Sequence, residues 1–219
     1  MQQQNNLVFL CGPHGSGKTT LGDEIAKQNQ RVMIPELYSR NVKFNTDPKD
    51  RLLLKVCGRS VENFEYLDIA KQNPEKIIIG NRCIYDQQTY NEVYHQRGWV
   101  TDEELWLSNT LAANFYIESL RNPNAIVLNP GFDIVTRHLQ KRWKEKGKKW
   151  NEDDQEYTRL ACELYEKLRN RPNVFYIDHE INLESKVEII EASEWLDNLF
   201  ETPKSIKRQE IEQPVLVGK

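Results

Sequence analysis

The run Gly12-Pro13-His14-Gly15-Ser16-Gly17-Lys18-Thr19 limits the folds open to this chain more than any other feature. It follows an apolar segment, Leu7 to Cys11, that reads as a buried strand. It precedes Leu21 to Lys27, which reads as a helix. G-x-x-x-x-G-K-T between a strand and a helix is a phosphate-binding loop. Its glycines let the backbone curl so that N–H groups point inward, and with the helix N-terminus they form a nest for a triphosphate. The nest is expected to span Gly12 to Thr20, with Lys18 on the β- and γ-phosphates and Thr19 on Mg²⁺. ATP and Mg²⁺ are the cofactors this implies.

The rest of the chain alternates strands and helices. Strands are predicted at Arg31 to Ile34, Lys76 to Gly80, Ala125 to Leu128 and Val174 to Ile177. The three consecutive isoleucines of the second of these suit a parallel strand buried on both faces. Asp47-Pro48 opens a helical stretch from Lys49 to about Gln72, with a break expected near Gly58. Further helices are predicted from Ile84 to Arg97, from the capping box at Thr101 to about Leu120, from Phe132 to about Lys146, around Tyr157 to Leu168, and from Lys186 to Phe200. The pattern predicts a three-layer α/β fold, with about five parallel strands covered by helices on both faces. One domain is expected over residues 1–200, and 201–219 reads as a tail.

Lys plus Arg number 30 and Asp plus Glu 33, so the net charge is only −3. That balance weighs against a dedicated nucleic-acid binder. No apolar run is long enough to span a membrane. Cys11, Cys57, Cys83 and Cys162 form no C-x-x-C pair and fit buried thiols in a reducing cytoplasm. The polar start, Met1 to Asn6, shows no signal pattern.

Three further features fall at ends of strands, where an open parallel sheet binds its ligands. Glu36 follows Pro35 at the end of the second strand. Its carboxylate is expected to take a proton from an attacking hydroxyl, or to hold Mg²⁺ through water. Arg82, after the third strand, offers a planar fork to transferring phosphoryl oxygens, with Asp86 expected to hold it from one helical turn on. The segment Arg137 to Lys149 carries seven Lys or Arg and one acid, Glu145. At its place in the chain it is expected to be a mobile basic lid, at about 137–151, that closes over the donor phosphates. His14 reads as an ordinary loop residue, and most aromatics as core or helix packing.

Together these features resemble the thymidylate kinase and deoxynucleoside kinase group of P-loop kinases, over about residues 7 to 200. In that resemblance Glu36 matches the glutamate near the acceptor hydroxyl or Mg²⁺, and Asn81-Arg82 matches an acidic-Arg pair. His138 to Arg142, with Arg137 before it, matches an Arg-x-x-x-Arg lid. Asn81 stands where the group has an acid, and the first lid arginine is displaced by one residue. The resemblance implies ATP-dependent transfer to a nucleoside or nucleoside monophosphate, with Lys18, Glu36, Arg82 and Arg142 carrying the reaction and Arg137 on the donor phosphates. It also implies a homodimer. The alternatives are a P-loop ATPase or nucleotide-controlled binding protein, supported by Asn81, and a polynucleotide kinase, supported by the basic run.

Overall fold

The computed structural model describes residues 6–37, 47–115, 118–148 and 151–201. The strands are β1 (Leu7–Cys11), β2 (Val32–Met33), β3 (Ile77–Asn81), β4 (Asn124–Leu128) and β5 (Val174–Ile177). All pair in parallel in the order β2-β3-β1-β4-β5, so β1 sits at the centre. The helices are α1 (Lys18–Gln28), α2 (Pro48–Gln72), α3 (Ile84–Gln96), α4 (Asp102–Phe115), α5 (Glu118–Arg121), α6 (Phe132–Lys146), α7 (Gln155–Glu166) and α8 (Val187–Glu201).

Side chains alternate across each strand, and here both faces are apolar. Leu7, Phe9 and Cys11 point into a core shared with α2, α3, α4 and α7. Val8 and Leu10 point into a second core shared with α1 and α8. A smaller cluster, Val135, Leu139 and Cys162, joins α6 to α7 beside the sheet. The three-layer α/β architecture is the one the sequence pattern predicts.

Three elements differ from expectation. No break occurs at Gly58, because α2 runs unbroken and keeps Leu52, Val56, Asn63, Tyr66, Leu67 and Ala70 against the core. That packing outweighs the roughly 1 kcal/mol helix penalty of one glycine. The helix opened by Thr101 ends at Phe115, and the short α5 takes the chain on to β4. The second strand shrinks to two residues, since it pairs only along β3 at the sheet edge. Tyr38, Arg40, Lys149, Trp150 and the 202–219 tail lie outside the described residues.

Gly80 shows how tightly one face is packed. A Cβ there would lie 2.7 Å from two ring carbons of Phe9 and 3.1 Å from Tyr66. The Tyr66 hydroxyl in turn accepts the Asn81 N–H at 3.1 Å, setting the end of β3. Gly80→Val should therefore overpack the core at a cost of about 1–3 kcal/mol. A thermal melt should show a midpoint lowered by several degrees, and an unchanged midpoint would refute this packing account.

Candidate functional site

The phosphate-binding loop leaves the centre of the sheet between β1 and α1. Gly12 has φ 139° and a Cβ there would sit 2.2 Å from the carbonyl oxygen of Leu128, so only glycine fits. Lys18 opens α1, and its Nζ donates to the carbonyls of Gly12 (2.8 Å) and Pro13 (2.7 Å) and to Ser16 Oγ (3.2 Å). Burial, then the charge of Arg82, pushes the Lys18 pKa down to about 7. Thr19 and Thr20 are exposed in the first turn of α1.

Asp86 braces this loop. Its Oδ1 accepts the Gly12 N–H at 3.4 Å and the Tyr165 hydroxyl at 2.5 Å, and its Oδ2 accepts the Cys83 N–H at 3.0 Å. It therefore caps α3 and fixes the loop, rather than gripping Arg82 through an ion pair. The four-residue spacing from Arg82 assumed a helix, but α3 begins only at Ile84 and Arg82 has φ 70°. A non-glycine residue in that region is strained, and such strain clusters at functional sites. Arg82 places its guanidinium 5.2 Å over the Tyr90 ring and 3.2 Å from the His14 ring. Burial opposes its charge, but Tyr90 and Asp86 outweigh burial and keep it cationic.

Tyr90 is a hub that sequence reasoning took for ordinary packing. Its hydroxyl accepts the His14 N–H at 3.2 Å, and its ring lies 5.4 Å from His14 and 5.8 Å from Tyr157. Lys55 of α2 reaches the same ring, 5.7 Å from its centroid, and donates to the Tyr94 hydroxyl at 3.1 Å. Burial first, then Arg82, Lys18, Lys55 and Arg142, holds the His14 pKa well below the usual value. His14 is thus a neutral ring packed against Tyr90, where the sequence suggested only a loop residue. The positions of Asp86, Tyr90 and Tyr94 at four-residue intervals on α3 were the signal for this face.

The basic segment is helical over α6. His138 reaches the loop, with Nδ1 2.9 Å from the Gly15 carbonyl and Nε2 2.7 Å from Glu180. Arg142 contacts the buried carboxylate of Glu152, which also lies 3.7 Å from His14. Arg137 is exposed and bonds Glu180 at 2.6 Å, so it would reach a phosphate only by exchanging that partner. Lys18, Arg82 and Arg142 are thus brought around His14. Glu36 is exposed beyond β2. Glu36 follows the end of β2 by three residues, past the last pair with β3, Met33↔Ile78.

Mg²⁺ with a triphosphate needs only one or two protein oxygens. The exposed Thr19 hydroxyl and the Glu36 carboxylate fit that donor set. Among the described residues one group of three possible ligands converges, Cys11, Cys83 and Asp86, all buried. Two thiols are soft donors, and both Asp86 oxygens already accept hydrogen bonds, so that group does not suit Mg²⁺.

The fold and loop define a P-loop nucleotide-binding protein. The family model AAA_28, an AAA domain, matches residues 7–185, and the chain belongs to that family. No curated protein matches it. Solved structures with a similar fold include deoxyadenosine kinase from M. mycoides with bound dATP, at 19% identity and TM-score 0.65, covering 84% of this chain and 97% of that one. The same enzyme with products dCMP and a flexible dCDP bound matches at 16% identity and TM-score 0.56, covering 85% and 97%. With bound dCTP it matches at 17% and 0.52, with the same coverage.

Replacing Asp86 by Asn leaves the loop, α3 and α7 without a shared anionic acceptor. Hydrogen bonds to a charged group contribute about 1.5–3 kcal/mol each. Asp86→Asn should lower both the melting midpoint and the affinity for ATP, read by a melt and by calorimetric titration. Wild-type values for both would remove the bracing role.

Proposed function

We propose that this protein is an ATP-dependent kinase that transfers the γ-phosphoryl group to a nucleoside or nucleoside monophosphate. The observation that carries this reading is the convergence of Lys18, Arg82 and Arg142 on the face of the phosphate loop that bears His14. Phosphoryl transfer depends mainly on positioning and on stabilising charge spread over the equatorial oxygens. The three cations are supplied by separate elements, α1, the β3–α3 link and α6. Among the described residues no carboxylate forms an ion pair with Arg82, so its fork is available to phosphoryl oxygens. The deoxyadenosine kinase structures, alike in fold, support the same reading.

In this mechanism the loop backbone and Lys18 hold the donor triphosphate. Thr19 would hold Mg²⁺, which when bound would supply charge neutralisation on the β- and γ-phosphates. Arg82 stabilises the transferring group as charge develops. Arg142 shields it from the α6 side, and Arg137 adds charge at the outer rim. Glu36 accepts the proton of an acceptor hydroxyl.

Lys18→Ala should keep its circular dichroism spectrum and lose nearly all phosphoryl transfer in a coupled ADP-release assay. Wild-type turnover in that variant would remove the site assignment. Arg82→Ala should lower kcat far more than it weakens ATP binding, because its role is in the transition state. A tenfold loss of ATP affinity with unchanged kcat would make Arg82 a ground-state residue instead.

Glu36→Gln separates a kinase from an ATPase. As the base for an acceptor hydroxyl, Glu36 should cost about 10²- to 10⁴-fold in transfer when replaced, with acceptor-free hydrolysis little changed. Loss of hydrolysis whether or not a nucleoside is present would favour a water-activating ATPase. Full activity with every acceptor would exclude Glu36 from the mechanism.

A further inference from the structure

Glu152 lies in the link between α6 and α7, two residues before the α7 N-cap Asp154. Its neighbour Asn151 has φ 49°, and Asp154 behind it caps α7 by accepting the Tyr157 N–H at 3.0 Å and binds Arg97 at 2.8 Å. Asp154 thus anchors the end of this link that joins α7, and Glu152 just before it places a carboxylate inside the protein. Glu152 is 2% exposed. Its Oε1 contacts Nη2 of Arg142 and lies 3.7 Å from Nδ1 of His14, and its Oε2 faces the Trp143 Nε1–H at 3.4 Å.

An ionised carboxylate at that depth is costly unless cations offset the lost hydration. Among its cationic neighbours is Arg142, in direct contact, and Arg82 and Lys18 of the phosphate site lie around His14 beside it. Glu152 thus uses the charge on which a bound triphosphate would also depend. The Arg142 Nε is itself buried and has no hydrogen-bond partner among the described residues.

We propose that Glu152 is a positioning residue of the phosphate site: an internal anion that holds Arg142 against His14 and competes with the nucleotide triphosphate for that arginine. This rests on the phosphate-loop reading but not on the identity of the acceptor. Bringing a triphosphate beside Glu152 sets like charges together and draws the Arg142 guanidinium between two anions. Glu152 therefore weakens ground-state binding of the donor nucleotide. It keeps Arg142 in place without letting it bind the triphosphate at full strength.

The test is calorimetric titration with Mg²⁺ and a non-hydrolysable ATP analogue. Glu152→Gln keeps the shape and an oxygen for Trp143 but removes the charge. It should bind the analogue more tightly, by roughly tenfold, the scale expected for residues coupled in one network. Glu152→Asp keeps the charge and should show no such gain. A residue needed only for folding would weaken binding when replaced, so a gain in affinity is a readout that a structural role does not give. Equal or weaker binding in Glu152→Gln, with wild type binding normally, overturns the inference alone. If wild type itself does not bind the analogue, the phosphate-loop reading fails, and the inference with it. Should Glu152→Gln not fold, the emission of Trp143 gives a second measurement. Nucleotide should change wild-type fluorescence by an amount missing in Trp143→Phe, and identical changes in both would overturn the exchange.

Discussion

The buried carboxylate of Asp86 is the contact on which the rest of the site depends. It gathers donors from three separate parts of the chain: the first residue of the phosphate loop, the start of α3 and the hydroxyl of Tyr165 on α7. A loop with glycines at 12, 15 and 17 has much backbone freedom to lose. Fixing its first N–H to a residue anchored in two helices removes part of that freedom before any ligand arrives. The same carboxylate sets where α3 begins, and so where Arg82, Tyr90 and Tyr94 lie. Bracing the loop and placing the arginine are one interaction seen from two sides.

Around that anchor the structure crowds positive charge into a half-buried space. Lys18 and His14 are both driven toward their neutral forms by burial and by neighbouring cations. Tyrosine rings fill the gaps, with Tyr90 under Arg82 and beside Lys55. Aromatic faces attract cations without cancelling their charge. They therefore hold the cations in place and leave them able to bind an anion. Carboxylates would have held them too, but at the expense of the field a triphosphate needs. Glu152 is the exception, and it sits against Arg142 of the basic helix.

The phosphate loop and the five strands were legible because each is local. A glycine pattern or a run of β-branched residues carries its own physical cause. What was misjudged depended on partners distant in sequence. Gly58 looks like a break until the buried face of α2 is known. The Arg82–Asp86 spacing looks like a helical pair until Arg82 is found outside the helix, with positive φ. Tyr90 looks like core because its partner, His14, lies 76 residues away. Glu152 follows a long basic run and carries no sequence signal of its own, and only the fold shows it buried.

The displaced lid arginine follows from helix geometry. Residues 137 and 142 both lie on α6, five positions apart. At about 100° per residue they are some 140° apart around the axis, so they cannot face one target. Arg142 faces His14 and Glu152, while Arg137 turns outward to Glu180. Residue 138 is four positions before Arg142, only about 40° away, and shares its face. That residue is His138, and its ring reaches the Gly15 carbonyl at 2.9 Å. A helix that must bring both an arginine and a second polar side chain to one loop does so at a three- or four-residue interval, and here it is four. The one-residue shift in sequence therefore puts a histidine on the loop and moves the first arginine to the rim.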